Sequence, residues 1–150
     1  MNGPHLPFRL DPQARAPKLS AFNQRAEIVW FGFEGRYVEP GAAVVAPTRL
    51  HDGTLGGGGA RALNGGLISA GFDAAVVLAG LGHFDSDVVV TLELSTRFLA
   101  LARVEESLEF RAVIVRSARH FAFAEAVLAG VNGAVYSTAC AMVAPVATRA

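Results

Sequence analysis

The longest apolar stretch in the chain, residues 67–82, follows Asn64-Gly65-Gly66 and is interrupted by a single charge, Asp73. It is long enough for about four helical turns and apolar nearly all round, which predicts a helix buried on most of its sides. Beyond it the pattern shortens to strand-like segments. Residues 88–99, 104–116, 120–129 and 134–146 each read as strands, and Asn132-Gly133 is a strong hairpin signal between the last two. Ahead of the helix, residues 30–37 alternate aromatic with small or charged positions, Glu39-Pro40-Gly41 is a turn signal, and residues 42–50 read as a second strand. Residues 20–29 read as a short helix opening at Ser20, and residues 1–20, rich in Pro and polar groups and without a period, as a flexible N-terminal arm. Two strands, one buried helix and four antiparallel strands predict an α+β fold, a sheet wrapped around one long helix, in a single domain over residues 21–150.

Composition narrows the function classes. The 13 basic residues balance the 13 acidic ones, which argues against a general binder of nucleic acid or of anionic membranes. The apolar helix is not expected to span a membrane, because a carboxylate at its midpoint would cost about 2.5–3.5 kcal/mol on insertion. No secretory h-region opens the chain, and Cys140 stands alone, so a reducing, cytoplasmic setting without disulfides is expected. The histidines at 5, 51, 83 and 120 lack metal-ligand spacing. Asp85 and Asp87 lack the Gly and the later Glu of a calcium loop. Neither a nucleophile elbow around Ser69 nor a phosphate loop after the glycines is present.

Two features of the helix carry chemistry. An ionised carboxylate in an apolar setting is normally paired, protonated or used, so Asp73 is a candidate nucleophile or general base. Gly65 and Gly66 leave the first N–H groups of the helix open to close approach, where the helix dipole favours a developing oxyanion. Gly65 and Asp73 lie eight positions apart, about 12 Å along a helix. They cannot reach one carbonyl from one chain, so joint action requires a second, antiparallel copy across a two-fold axis.

The order Asn64-Gly65-Gly66, Asp73, Val90-Thr91-Leu92-Glu93-Leu94-Ser95-Thr96-Arg97-Phe98-Leu99 resembles the hotdog-fold acyl-CoA thioesterases of the PaaI-like group. Arg116-Ser117-Ala118-Arg119, then Phe123-Ala124-Glu125, and finally Gly133 and Thr138, extend the resemblance over residues 30–147. It implies a homodimer, or a dimer of dimers forming a homotetramer, that hydrolyses an acyl-CoA thioester without a cofactor or metal. In that family the first glycine, here Gly65, contacts the carbonyl, the acidic residue, here Asp73, drives hydrolysis, and a Ser or Thr at Thr91 positions water. The same resemblance gives Asn64 and Gly66 a place in substrate binding, and assigns the phosphates of coenzyme A to Arg116, Ser117, Arg119 and His120. Asn64 stands where many members have His, Ala118 where they have Gly, and residues 57–59, all Gly, where some carry a polar amide.

Alternation along the strand puts Thr91 with Val89 and Glu93, opposite Val90 and Leu92, and does not say which side meets the helix. A hotdog protein that binds acyl-CoA or a related ligand without turnover is the alternative reading. A dehydratase or hydratase comes third, since no His is placed to act with the acid.

Overall fold

The computed structural model describes residues 3–56 and 58–147. Three α-helices and eight strands make the body of the fold: α1 Pro12–Asn23, α2 Ala26–Phe31, β1 Phe33–Val38, β2 Ala42–Pro47, α3 Gly65–His83, β5 Val89–Phe98, β6 Leu108–Ser117, β7 Ala122–Gly130 and β8 Val135–Pro145, with the short pair β3 Leu55–Gly56 and β4 Ala62–Leu63 forming a hairpin between β2 and α3. The main sheet is six-stranded and antiparallel, in the order β1-β2-β6-β7-β8-β5. α3 packs on β2, β5, β6, β7 and β8 of this sheet. This is the α+β hotdog arrangement that the resemblance implied.

α3 is central because its composition leaves it nowhere else to go. Phe72, Val76 and Leu78 are buried against Val45, Phe110, Leu128 and Val143 of the sheet. The Phe72 and Phe110 rings meet edge-on at 5.3 Å, the favoured aromatic geometry. Gly71 lets the helix sit this close: a Cβ there would stand 2.2 Å from the Phe110 ring. By length and hydropathy α3 could cross a membrane, but 72% of its apolar window is buried inside this fold. It is a core helix.

Four strands follow α3 and the Asn132-Gly133 hairpin stands as expected, with Gly133 at φ 84° between β7 and β8, but the second strand, expected from residue 104, starts only at Leu108 because residues 104–107 turn. The β1–β2 hairpin turns through Glu39-Pro40-Gly41, pairing Val38 with Ala42. Three further expectations require correction. Trp30 and Phe31 are helical, not extended; α2 ends at Gly32, whose φ of 72° is the left-handed cap that glycine takes without penalty, and β1 starts only at Phe33. β2 ends at Pro47, short of residue 50. The boundary at residues 20 and 21 falls inside α1, which begins at Pro12 after Asp11, whose carboxylate accepts from Ala14 N–H at 2.8 Å.

The segment before α1 is also tied to the body. Leu6 N–H donates to the Ile114 carbonyl at 2.8 Å, Phe8 N–H to Pro40 at 2.9 Å and Leu10 N–H to Gly82 at 3.2 Å. The buried Arg15 guanidinium lies 4.3 Å from the Phe8 ring centroid and 5.1 Å from that of Tyr37, and pairs with the Glu39 carboxylate. Cation–π contact and the ion pair together clamp α1 to the β1–β2 turn.

Candidate active site

Asn64 builds the start of α3. Its Oδ1 accepts from Leu67 N–H at 2.8 Å, its Nδ2 donates to the Gly53 carbonyl at 2.8 Å, and its own N–H donates to the Thr54 carbonyl at 2.9 Å. Thr54 is itself buried, with its hydroxyl on the His51 carbonyl at 2.6 Å. Both ends of the Asn64 amide are committed to this turn, which is the N-cap role its residue type favours. The first residues of a helix have no intrahelical acceptor for their N–H groups. The Asn64 cap takes the Leu67 N–H, so Gly65 and Gly66 keep theirs free among the described residues, and both glycines are exposed. The Phe98 side chain stands beside Gly65, and with Ile68 and Leu101 walls an apolar cleft of about 250 Å³.

Asp73 lies on the one stripe of α3 that this chain leaves uncovered. Gly66, Ser69, Ala70 and Asp73 are exposed or half-buried, while their neighbours Leu67, Phe72, Ala74 and Ala75 are buried. Such positions, three and four apart, share one helix face. The Asp73 carboxylate has no hydrogen-bond or ion-pair partner among the described residues. It opens into a pocket of about 360 Å³ between α3, α2 and the start of β5.

Thr91 lines the same pocket, and its Oγ1 is buried with no hydrogen-bond partner among the described residues. Register settles which side of β5 it faces. A bulge between Thr91 and Glu93 leaves Leu92 without a partner on β8. Val89 packs against α3 at Gly80, so Thr91 shares the helix side, and the extra residue puts Leu94 on that side as well.

The structure therefore brings Asp73 and Thr91 together and keeps Gly65 apart from them within one chain, in the separate cleft. Arg116, Ser117, Arg119 and His120 form the β6–β7 hairpin, closed by Ala118 N–H on the Phe121 carbonyl at 2.8 Å. That hairpin stands at the other end of the sheet from Gly65. Ala122 pairs with Val143 near the start of β5, whereas Phe98, beside Gly65, pairs with Ser137. Gly58 and Gly59 form the tip between β3 and β4; Gly57 lies outside the described residues.

Sequence reasoning missed the outer wall of the Asp73 pocket. Phe22, Arg25 and Glu27 from α1 and the start of α2, with Ile28 and Phe31 from α2, close it opposite α3. The available signal was Ile28 and Phe31 three apart, a helical spacing.

Solved structures share the fold across nearly the whole chain. Escherichia coli PaaI, from a phenylacetic acid degradation operon, is 14% identical, with 89% of this chain and 94% of that chain covered at a TM-score of 0.72. A mutant thioesterase from Pseudomonas aeruginosa is 16% identical, covering 93% and 97% at a TM-score of 0.76. A Streptococcus mutans protein solved with acetyl CoA bound is 20% identical, covering 79% and 91% at 0.64. No curated protein matches the chain in sequence. The family model of the thioesterase superfamily matches residues 61–136, half of the chain and the part that holds Gly65, Asp73 and Thr91. The chain belongs to the thioesterase superfamily.

Proposed function

We propose that this protein is an acyl-CoA thioesterase, a cytoplasmic hydrolase whose sites lie between two copies of the chain. The observation that carries the reading is the uncovered stripe of α3: an exposed helix start with two N–H groups at one end, and a carboxylate two turns on next to the Thr91 hydroxyl, all without a partner among the described residues. Membership of the superfamily and the acetyl CoA bound to the Streptococcus mutans relative support a coenzyme A thioester as substrate.

The partner chain supplies what one chain lacks. β5 is a sheet edge, with Val90, Leu92, Phe98, Leu99 and Leu101 exposed along and just beyond it. An edge with free backbone groups and an apolar margin is a pairing surface. A two-fold axis beside β5, with α3 antiparallel to its copy, sets the partner's Gly65 against Asp73 and Thr91 of this chain. It also brings the Arg116–Ser117–Arg119–His120 hairpin to the end occupied by the partner's Gly65, where those residues hold the coenzyme A phosphates.

In the reaction, Gly65 N–H donates to the thioester carbonyl oxygen as it becomes an oxyanion, with the helix dipole adding to the effect. Asp73 either attacks the carbonyl carbon, giving an acyl anhydride that water then cleaves, or removes a proton from a water held by Thr91. Both routes break the C–S bond, place the oxygen of water in the acid and release coenzyme A as its thiol. Asn64 takes no part in proton transfer, since a carboxamide does not titrate near neutral pH; it holds the turn.

Thiol release from a panel of acyl-CoAs, measured for wild type and Asp73→Asn, tests the proposal. Turnover by wild type that falls by about 10²–10⁴ in the variant is expected for a lost acid–base group. Wild type that binds an acyl-CoA and releases no thiol from any would replace this reading with that of a binding protein.

A further inference from the structure

The turn ahead of α3 holds a buried hydroxyl that the reaction above does not use. Between Pro47 and Gly56, Thr54 is the one buried residue, in a segment otherwise exposed or half-buried. Its Oγ1 donates to the His51 carbonyl at 2.6 Å, and its own N–H donates to that same carbonyl at 2.9 Å. The His51 carbonyl would therefore keep a partner without the hydroxyl, so the hydroxyl is not there to satisfy a group left unpaired. What it adds is a second tie across the single 3₁₀ turn Asp52–Thr54, a geometry with weaker backbone hydrogen bonds than an α-helix.

The carbonyls of that turn hold Asn64. The Gly53 carbonyl accepts from Asn64 Nδ2 at 2.8 Å and the Thr54 carbonyl from Asn64 N–H at 2.9 Å. β3 runs close against the same residue: a Cβ on Gly56 would stand 2.8 Å from Asn64 Cβ. From the other side, α3 takes hold through Leu67 N–H on Asn64 Oδ1 at 2.8 Å and Ile68 N–H on the Asn64 carbonyl at 3.0 Å. That carbonyl and the Gly65 N–H belong to one planar peptide group. Fixing Asn64 from both sides therefore fixes the direction of the Gly65 N–H.

We propose, on the thioesterase reading above, that Thr54 is a positioning residue: its buried hydroxyl locks the Asp52–Thr54 turn and, through Asn64, aims the Gly65 N–H at the thioester carbonyl. A donor to a developing oxyanion works by being held in place beforehand, to within about 0.5 Å and 10–20°. The helix does not supply that hold, because a first-turn N–H has no acceptor within it.

The test compares Thr54→Val, Thr54→Ser and Thr54→Val combined with Gly65→Pro in the full chain, with kcat taken per folded molecule. Valine keeps the shape of threonine and removes only the hydroxyl. Thr54→Val should lower kcat about tenfold, part of the 10²–10³ that loss of an oxyanion donor costs, with KM changed by less than about twofold. Thr54→Ser should restore most of it. In the Gly65→Pro background, Thr54→Val should cost nothing further, because the N–H it misdirects is already gone. An unchanged kcat in Thr54→Val, or the same loss in both backgrounds, overturns the inference. So does a Thr54→Val chain that fails to fold while Thr54→Ser folds, since the hydroxyl would then be a requirement of the fold.

A second readout needs no turnover. Ketone analogues of the acyl-CoAs, with a methylene in place of sulfur, keep the carbonyl and are not hydrolysed. A hydrogen bond lowers the carbonyl stretching frequency, so the bound ketone should show that shift in wild type and Thr54→Ser and lose part of it in Thr54→Val. If wild type hydrolyses no acyl-CoA yet shifts the ketone carbonyl, the thioesterase reading fails and the variants' shifts alone decide the role of Thr54. A carbonyl at its free frequency in wild type overturns the inference, and failure of wild type to bind any of the ketones overturns it together with the thioesterase reading.

Discussion

Gly65→Pro removes the N–H donor from the proposed oxyanion site, puts the ring Cδ where its hydrogen pointed, and leaves the helix start intact. Gly65 is the first helical residue of α3, the position where Pro is accepted because its N–H has no helical acceptor. Asn64 already sits at φ −74° and ψ 159°, the extended conformation that a residue before Pro requires. A Cβ at Gly65 meets only Phe98, at 3.4 Å, an ordinary contact. The variant should keep its unfolding midpoint and lose about 10²–10³ in kcat, read by thermal melting and thiol release on one preparation; full turnover would remove the Gly65 N–H from the mechanism. A different single residue governs pH. His83 is buried, neither ring nitrogen has a hydrogen-bond partner among the described residues, and burial, with the nearby Arg9 charge, lowers its pKa to about 4. The unfolded chain binds that proton from about pH 6.5 downwards. Stability from neutral His83 is therefore whole above about pH 6.5 and is lost as the pH falls towards 4, by roughly 3 kcal/mol in all at about 1.4 kcal/mol per unit. Urea unfolding across that window should show this slope, and His83→Leu should flatten it.

At the scale of elements, α3 on its sheet sets packing against helix propensity. Ala is a better helix former than Gly by about 1 kcal/mol, so propensity alone predicts that Gly71→Ala stabilises the protein. The new methyl group would lie 2.2 Å from the ring of Phe110, which is fully buried and has no room to withdraw. Overpacking costs about 1–3 kcal/mol, so urea unfolding should show net destabilisation; a gain would mean that α3 rides higher above β6. The same elements show what the sequence discloses. α3 and the strands after it are legible because an all-round apolar run, an Asn cap and Asn132-Gly133 act locally. α1 is not, because Pro17 and a mixed pattern hide it. α2 is not, because Trp30-Phe31 resembles a strand until Gly32 turns the chain. The site divides along that line. Asn64, Gly65, Gly66 and Asp73 follow from one helix, whereas the face of Thr91 depends on a bulge at Leu92 that alternation does not register. The Arg25–Glu27 wall depends on two helices placed by tertiary contacts.

At the scale of the whole molecule, the separation of Gly65 from Asp73 turns quaternary structure into a kinetic prediction. If each site takes its N–H from one chain and its carboxylate from the other, homodimers of Gly65→Pro and of Asp73→Asn are both inactive, each lacking one component at every site. Mixed and allowed to exchange subunits, they form heterodimers in which the Asp73→Asn chain contributes an intact Gly65 and the Gly65→Pro chain an intact Asp73. One site of that heterodimer is complete and the other carries both defects. An equal mixture exchanging at random yields heterodimers as half of its dimers, so activity should recover to about a quarter of wild type. The rise should follow the rate of subunit exchange, which labelled subunits report independently. Sites built within single chains would give no recovery at any mixing ratio, because every site would keep its own defect. Leu92→Glu supplies the companion result. It places a charge on the exposed apolar edge of β5 without touching the buried core, so it should give folded monomers that do not hydrolyse thioesters; monomers that retained turnover would show that one chain holds a complete site.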